Sequence, residues 1–222
     1  NISNIIVQNS YILILAIGMM MVIISGHIDL SVGSLTAFVG AVAAALTVTH
    51  QMPWPAAVAL CLLVGAAAGA LQGFMIAYLG IPSFIVTLAG MLLFRGLTEI
   101  LLKGQTVGPF PEGMQKIGNG FLPEVGPDTN YHNLTLLLGA VLIAAVVWQE
   151  VRDRRRQQEF SLEVLPTRLF ALKLVALVAA VLVVTLLLAS YKGAPIVLIV
   201  LGVLVAGYSY VMRNAVFGRH IY

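Results

Sequence analysis

The sequence predicts an all-α fold, a polytopic bundle of transmembrane helices, and three observations carry that prediction. Of 222 residues, 60% are hydrophobic and only 9% charged, whereas an ordinary soluble domain is roughly 25% charged. The mean hydropathy is +0.99. Between Asn1 and Arg95 the one formal charge is Asp29, with apolar runs on both sides that are each long enough to cross a bilayer. So few charges cannot cover the apolar surface of a soluble fold.

At roughly 20 apolar residues per crossing, about seven spans fit. In order they are Ile5–Ile24, Leu30–Val48, Pro55–Leu79, Pro82–Leu102, Leu134–Trp148, Leu169–Ala189 and Pro195–Met212. The fifth is short and draws on its flanks. The arginine and lysine balance of the connections sets the orientation. Glu150–Lys173 holds Arg152, Arg154, Arg155, Arg156, Arg168 and Lys173, against only Lys103 and Lys116 in Lys103–His132. Residues 150–168 therefore form a cytoplasmic arginine-rich loop, and residues 103–132 an external loop. Counting onward places Lys192 outside and Arg213 and Arg219 inside. Counting back places Asp29 toward the inside and Asn1 outside. An external start with no signal peptide is the expectation for a piece of a longer protein, truncated at both ends.

Other classes are set aside by what the sequence holds. The small net charge of +3, with its arginines in one loop, gives no nucleic-acid surface. Cys61 is the single cysteine and lies in an apolar run, so it reads as a packing residue. His27, His50, His132 and His220 are too scattered for a metal site. No glycine-rich phosphate loop with a following Lys-Ser or Lys-Thr occurs, so the chain binds no ATP of its own. No catalytic residue is assigned. Ser25, His27 and Asp29 are alternate residues of one loop, and a triad needs three groups that converge.

The polar residues inside the apolar runs are the candidates for function. Asp29 lies in the break Ser25–Ser34. There Asp29 or Ser31 caps the next helix, or the broken helix exposes backbone to a cavity that binds or gates a solute. Both readings stand together. Gly65, Gly69 and Gly73 in one span, and Gly33, Ala37, Ala41 and Ala45 in its neighbour, are small-residue stripes that let helices approach closely. Gln72 beside them is an interhelical hydrogen-bond partner or a wall contact for a solute. In the fourth span Ser83, Thr87, Gly90 and Phe94 share one narrow stripe, suited to a polar pathway or to a helix contact. Arg95 and Glu99 are four apart and can pair as a structural or gating pair. The arginine run 152–156 is primarily a topology signal, with anionic lipid as the lesser reading.

These segments resemble a known family. Ser25-Gly26-His27-Ile28-Asp29-Leu30-Ser31-Val32-Gly33-Ser34 resembles a motif of monosaccharide ABC importer permeases, Gly-Ile-Asp-Leu-Ser-Val-Gly-Ser. Ile81 through Met91, followed by Phe94-Arg95-Gly96, looks like the next block of that family. Phe217-Gly218-Arg219-His220-Ile221-Tyr222 is similar to the start of its cytoplasmic Gly-Arg-x-Ile-Tyr segment. The extra hairpin Leu134–Ala189 resembles the xylose or multiple-sugar branch. His27 stands where many members have glycine.

The resemblance implies that residues 1–222 are part of the transmembrane domain of a permease in a bacterial inner membrane. It is a transport subunit and not an enzyme. Its implied partners are a second permease copy, cytoplasmic ATP-binding subunits that use the ATP, and a periplasmic sugar-binding protein. Membrane lipid surrounds it, and a monosaccharide such as xylose crosses by alternating access. Residues 213–222 then begin the ATPase-coupling segment, with Arg213, Phe217, Gly218, Arg219 and Tyr222 as candidates. Candidates for the substrate pathway are Gly26, His27, Asp29, Ser31, Gln72, Ser83, Thr87 and Phe94. The alternatives are a permease of the same fold for nucleosides or branched-chain amino acids, and an ion-coupled carrier that uses Asp29.

Overall fold

The computed structural model describes residues 2–125, 131–160 and 164–214. Its helices are α1 (Ile2–Ile24), α2 (Val32–Ala44), α3 (Trp54–Ala77), α4 (Ser83–Leu102), α5 (Glu112–Asn119), α6 (Asn133–Glu159), α7 (Thr167–Ala189) and α8 (Ile196–Asn214). A π-helical turn, Ala45–Thr49, extends α2. All of these except α5 are long and apolar enough to cross a membrane, α2 by virtue of its π turn. The chain is thus a multi-pass helical membrane protein with seven spans among the described residues. Few residues of any span are buried, which lipid tolerates because it is as apolar as the side chains it meets.

The predicted spans each meet a helix, and the differences lie in the connections. α6 does not stop at Trp148 but runs through the arginines to Glu159. The segment expected as a loop is helical there because it holds Arg, Gln and Glu, which favour helix, and no Gly or Pro. In the 103–132 loop, α5 forms over a short amphipathic stretch that no span-length criterion detects.

The chain divides into two units, Asn9–Gly118 with Ile199–Tyr222, and Asn1–Gln8 with Asn119–Leu198. In the first, α2, α3 and α4 pack against one another. Their buried apolar residues are small: Ala41, Ala43, Ala44, Ala57 and Cys61, with Val86 and Phe94 from α4. The expected glycine stripe holds only in part. A Cβ on Gly65 would sit 3.9 Å from Val39, while Gly69 and Gly73 meet nothing within 4 Å. A row of every fourth residue drifts about 40° per step, so the seam leaves the glycines and continues through Gln72. At the other end of α3, Gly113 of α5 lies directly against the Trp54 indole.

In the second unit α6 and α7 form an antiparallel hairpin. Gly139 admits Thr185, with which any Cβ there would overlap. His132, at the start of α6, ties the hairpin to its neighbours. Its backbone N–H donates to Ala189 O at 2.9 Å, and its Nε2 lies 3.0 Å from Leu122 O. Thr135 Oγ1 accepts from Ala194 N at 2.8 Å, which leaves its proton for His132 Nδ1, 3.0 Å away. These partners fix the neutral tautomer with hydrogen on Nε2. An antiparallel bridge, Phe121 with Pro195, adjoins this knot.

Candidate functional site

The site forms where α1 ends. Gly26 has φ +76, a left-handed conformation that glycine adopts without strain. Its N–H donates to Ile23 O at 3.0 Å and the next N–H, from His27, to Val22 O at 3.0 Å. That pair of bonds is the Schellman arrangement, which stops a helix and turns the chain aside. Ser25 Oγ donates to Met21 O at 2.7 Å, further satisfying the end of α1.

The backbone between the two helices has no ladder of its own and is met by α4. Ile28 N–H points at Ser83 Oγ, 3.4 Å away, and Ile28 O lies 3.2 Å from Thr87 Oγ1. Ser83 and Thr87 are one helical turn apart, the spacing that lets one helix face meet both backbone groups of a single residue. Thr87 also donates to Ser83 O at 2.8 Å, so its proton is shared.

Asp29 and Ser31 then start α2. Asp29 Oδ1 accepts both the backbone N–H and the hydroxyl of Ser31, each at 2.7 Å. Asp29, and not the Ser31 side chain, therefore organises this end; Ser31 is the N-cap residue but makes no side-chain cap bond. With the Ser31 proton given to the carboxylate, Gln72 Nε2 donates to Ser31 Oγ at 3.0 Å. The two bonds to the carboxylate are charge-assisted, a kind that contributes about 1.5–3 kcal/mol each. Ser31 is fully buried, and Gln72 and Thr87 are buried too.

Gly90 makes this possible. A Cβ there would overlap the Gln72 amide nitrogen and lie 3.5 Å from Ser31 Cβ. One turn further along α4, Phe94 stacks on Phe38 of α2 with ring centroids 5.8 Å apart.

The structure thus brings Asp29, Ser31, Gln72, Ser83 and Thr87 into one network, with Phe94 closing it on one side and Gly26 delivering the chain to it. The His27 side chain is exposed. No hydrogen bond joins Ser25, His27 and Asp29 among the described residues. Arg95 and Glu99 are exposed and form no ion pair. Arginine preceding the acid by four is the weaker helical order, and exposed pairs gain little. Arg213 lies exposed in the last turn of α8. Phe217, Gly218, Arg219 and Tyr222 lie outside the described residues. Not foreseen from the sequence were the two hydrogen bonds to the Ile28 backbone and the role of Gly90 in admitting Gln72. Their only signal was a glycine on the Ser83–Thr87 stripe.

Chemically the network consists of neutral hydroxyl, amide and peptide groups around one carboxylate. Among the described residues no cation lies within ion-pair distance of Asp29, and no cluster of side chains could hold a metal.

The sequence profile of the family described as "Branched-chain amino acid transport system / permease component" matches residues 1–222. The chain is 37% identical over 223 residues to the xylose transport system permease protein XylH of Escherichia coli K12, an alignment covering 100% of this chain and 54% of that protein. It is 39% identical over 222 residues to XylH of Haemophilus influenzae, covering 100% of this chain and 57% of that one. Its likeness to the ribose import permease protein RbsC of Escherichia coli K12 is 46% over 107 residues, 48% of this chain and 33% of that protein. The chain therefore spans about half the length of the xylose permeases it matches. No solved structure matches it. The chain belongs to the permease-component family named above.

Proposed function

We propose that this permease-family chain is the membrane-spanning part of a subunit of an ATP-driven importer in a bacterial inner membrane. It moves a monosaccharide, xylose or a similar sugar, by alternating access. The observation that carries the reading is the likeness to xylose permeases, which extends along the entire chain. The site supports it. A neutral sugar needs hydroxyl, amide and peptide groups that bind weakly and release, and it needs no fixed counter-charge along its path.

Within that reading the site residues divide by exposure. Asp29, Ser31 and Gln72 are joined in one chain of hydrogen bonds, Thr87 bonds the Ile28 carbonyl beside it, and together they hold the break between α1 and α2 in one state. Gly26, His27, Ile28 and Ser83 are residues that keep accessible surface and are the ones that meet the sugar. Phe94 backs the break. A second permease copy completes the path, a periplasmic sugar-binding protein delivers the substrate, and cytoplasmic ATP-binding subunits drive the cycle. The motion reaches the break through the Arg213 end of α8 and the segment with Phe217, Gly218, Arg219 and Tyr222. ATP is bound by the partner and not by this chain.

The test uses the complete protein in vesicles with its ATPase and binding protein. Labelled xylose, ribose, galactose and glucose are followed with and without internal ATP. Uptake that requires both ATP and the binding protein, with xylose foremost, is expected. Uptake that ignores ATP and collapses with an ion gradient would replace the reading with an ion-coupled carrier at Asp29. ATP-dependent uptake of a nucleoside or a branched-chain amino acid in place of any sugar would keep the machine and change the cargo. Asp29→Ala is expected to abolish coupled uptake, and a variant with wild-type uptake and wild-type ATPase stimulation would remove Asp29 from the mechanism.

A further inference from the structure

α6 does not end where its apolar span ends. It carries Arg152, Arg154, Arg155 and Arg156 on the same continuous helix. At 100° per residue its polar end splits into two halves. One half holds Glu150, Asp153 and Arg154, and it is engaged by α7. Lys173 Nζ sits 2.7 Å from Glu150 Oε2. The Arg154 guanidinium lies 4.2 Å over the Phe170 ring and donates to Thr167 Oγ1 at 3.0 Å. Asp153 lines the same cleft.

The other half carries Val147, Trp148 and Val151, and then, without a break, Arg152, Arg155 and Arg156. These residues line one open groove, which a single carboxylate, Glu159, closes at its polar end. Trp148 is 62% exposed. Arg152 lies over its indole, 5.2 Å from the ring centre. Among the described residues no ion pair engages Arg152, Arg155 or Arg156. The helix therefore sorts its charges: acids and one arginine toward α7, three arginines and one acid away from it.

We propose that this outer face binds an anionic phospholipid, with its phosphate on Arg152, Arg155 and Arg156 and an acyl chain along Val147, Trp148 and Val151. The apolar part belongs to a membrane span, so lipid tails are its natural contact. One to two helical turns further, about 5–10 Å along the axis, the same lipid presents its headgroup. Guanidinium groups pair with phosphate oxygens through two parallel hydrogen bonds, and tryptophan favours the headgroup level. A zwitterionic lipid brings its own cation to the three arginines; an anionic one does not. A soluble acidic partner would meet the arginines and leave the adjoining apolar run uncovered. The inference needs only that α6 spans the membrane and is independent of what the protein transports.

The experiment places the complete protein in nanodiscs of equimolar phosphatidylglycerol and phosphatidylcholine, and native mass spectrometry counts the lipids it retains. The wild type is expected to retain phosphatidylglycerol preferentially. R152Q/R155Q/R156Q should weaken that preference by about five-fold per arginine removed, whereas R154Q should leave it unchanged. No preference in the wild type, a preference that survives the triple variant, or an equal loss in R154Q would each overturn the proposal. These arginines also orient the spans, so the triple variant has a control that needs none of them changed. Fluorescence quenching by bromo-acyl phosphatidylglycerol and bromo-acyl phosphatidylcholine is compared in the wild type and W148F, and the difference isolates Trp148 from every other tryptophan. Stronger quenching of Trp148 by phosphatidylglycerol is expected, and equal quenching by the two lipids overturns the site.

Discussion

Where α1 ends, the chain stays among the side chains of α3 and α4; where the apolar span of α6 ends, the same helix runs on through three further charged turns. The first end is satisfied by neutral groups from other helices: Ser83 and Thr87 around the Ile28 peptide, Gln72 on Ser31. Its one charge, Asp29, is met by hydrogen bonds and not by a cation. The second is fastened by charge: Lys173 on Glu150, Arg154 over Phe170. The difference follows from solvent. Unpaired backbone inside a membrane must find partners within the protein, so a break there recruits residues distant in sequence and becomes a shared joint of several helices. A helix that runs on into water needs no such partners and can be held by local contacts that salt screens. A joint of the first kind is where movement in one helix is felt by two others.

The strongest way to break this comparison is to spoil the close approach in each region. Gly90→Val places carbon atoms where the Gln72 amide lies, and overpacking of that kind costs about 1–3 kcal/mol or more. The purified complete protein should lose several degrees of melting temperature or fail to stay monodisperse. Gly139→Ala overlaps Thr185 in the hairpin, but there the obstacle is a short side chain. Adding Thr185→Gly, which removes all three overlapping side-chain atoms including the Cβ, should restore the hairpin variant. Adding Gln72→Ala to Gly90→Ala should not restore the break, because Gln72 also serves Ser31. Equal rescue in both would mean that the break is ordinary packing.

Next in size is Asp29→Ala, which removes both bonds to Ser31; water reaches the half-buried carboxylate, so the loss is about 1.5–3 kcal/mol in all and not twice that. Hydrogen exchange of the amides from Ser31 to Leu35 should quicken, with the α6–α7 amides unchanged. Asp29→Asn keeps an acceptor oxygen and should do less. Unaltered exchange in Asp29→Ala would show that the carboxylate does not hold the start of α2.

His132→Ala is the corresponding change in the hairpin. It leaves Leu122 O and the Thr135 N–H without their partners, at about 1–3 kcal/mol. Faster exchange at Thr135 and Ala194, with the Ser31–Leu35 amides unaffected, is the expected pattern. A change at both places would mean that the two regions are coupled.

Much of this was legible in the sequence because lipid imposes simple rules. Seven apolar stretches gave seven spans, since a helix is the one local structure that satisfies its own backbone in a bilayer. The break was legible from Asp29 and its neighbours, because a carboxylate between apolar runs has few places to sit. What was not legible depends on rotation about helix axes. Gly65, Gly69 and Gly73 read as one stripe, yet only Gly65 approaches a neighbour, because the row drifts around the helix. Gln72 looked like an optional partner and proved to be bonded to Ser31, forty-one residues earlier. The arginine run read as a loop because charge marks where a span stops but not where a helix stops. His132 gave no signal, since its partners come from Leu122 and Thr135 and are set by the turn at Gly193 that lies against its ring.

The smallest expected effect tests the charged side of the comparison. Glu150 and Lys173 meet at 2.7 Å with side chains 26% and 46% exposed, so solvent weakens the pair and such contacts are worth about 0.2–1 kcal/mol. A double-mutant cycle with Glu150→Gln and Lys173→Met, read as melting temperature in detergent, should return a coupling within that range and lose most of it at high salt. A cycle on Ser31→Ala and Gln72→Ala should give a coupling that salt leaves alone, because both groups are neutral and buried. Salt dependence, more than magnitude, separates the two ends. If the Ser31–Gln72 coupling fell with salt as steeply as the Glu150–Lys173 coupling, the break would be open to water and ions. It would then belong to the same class as the hairpin and would no longer be a sealed, neutral joint between α2, α3 and α4.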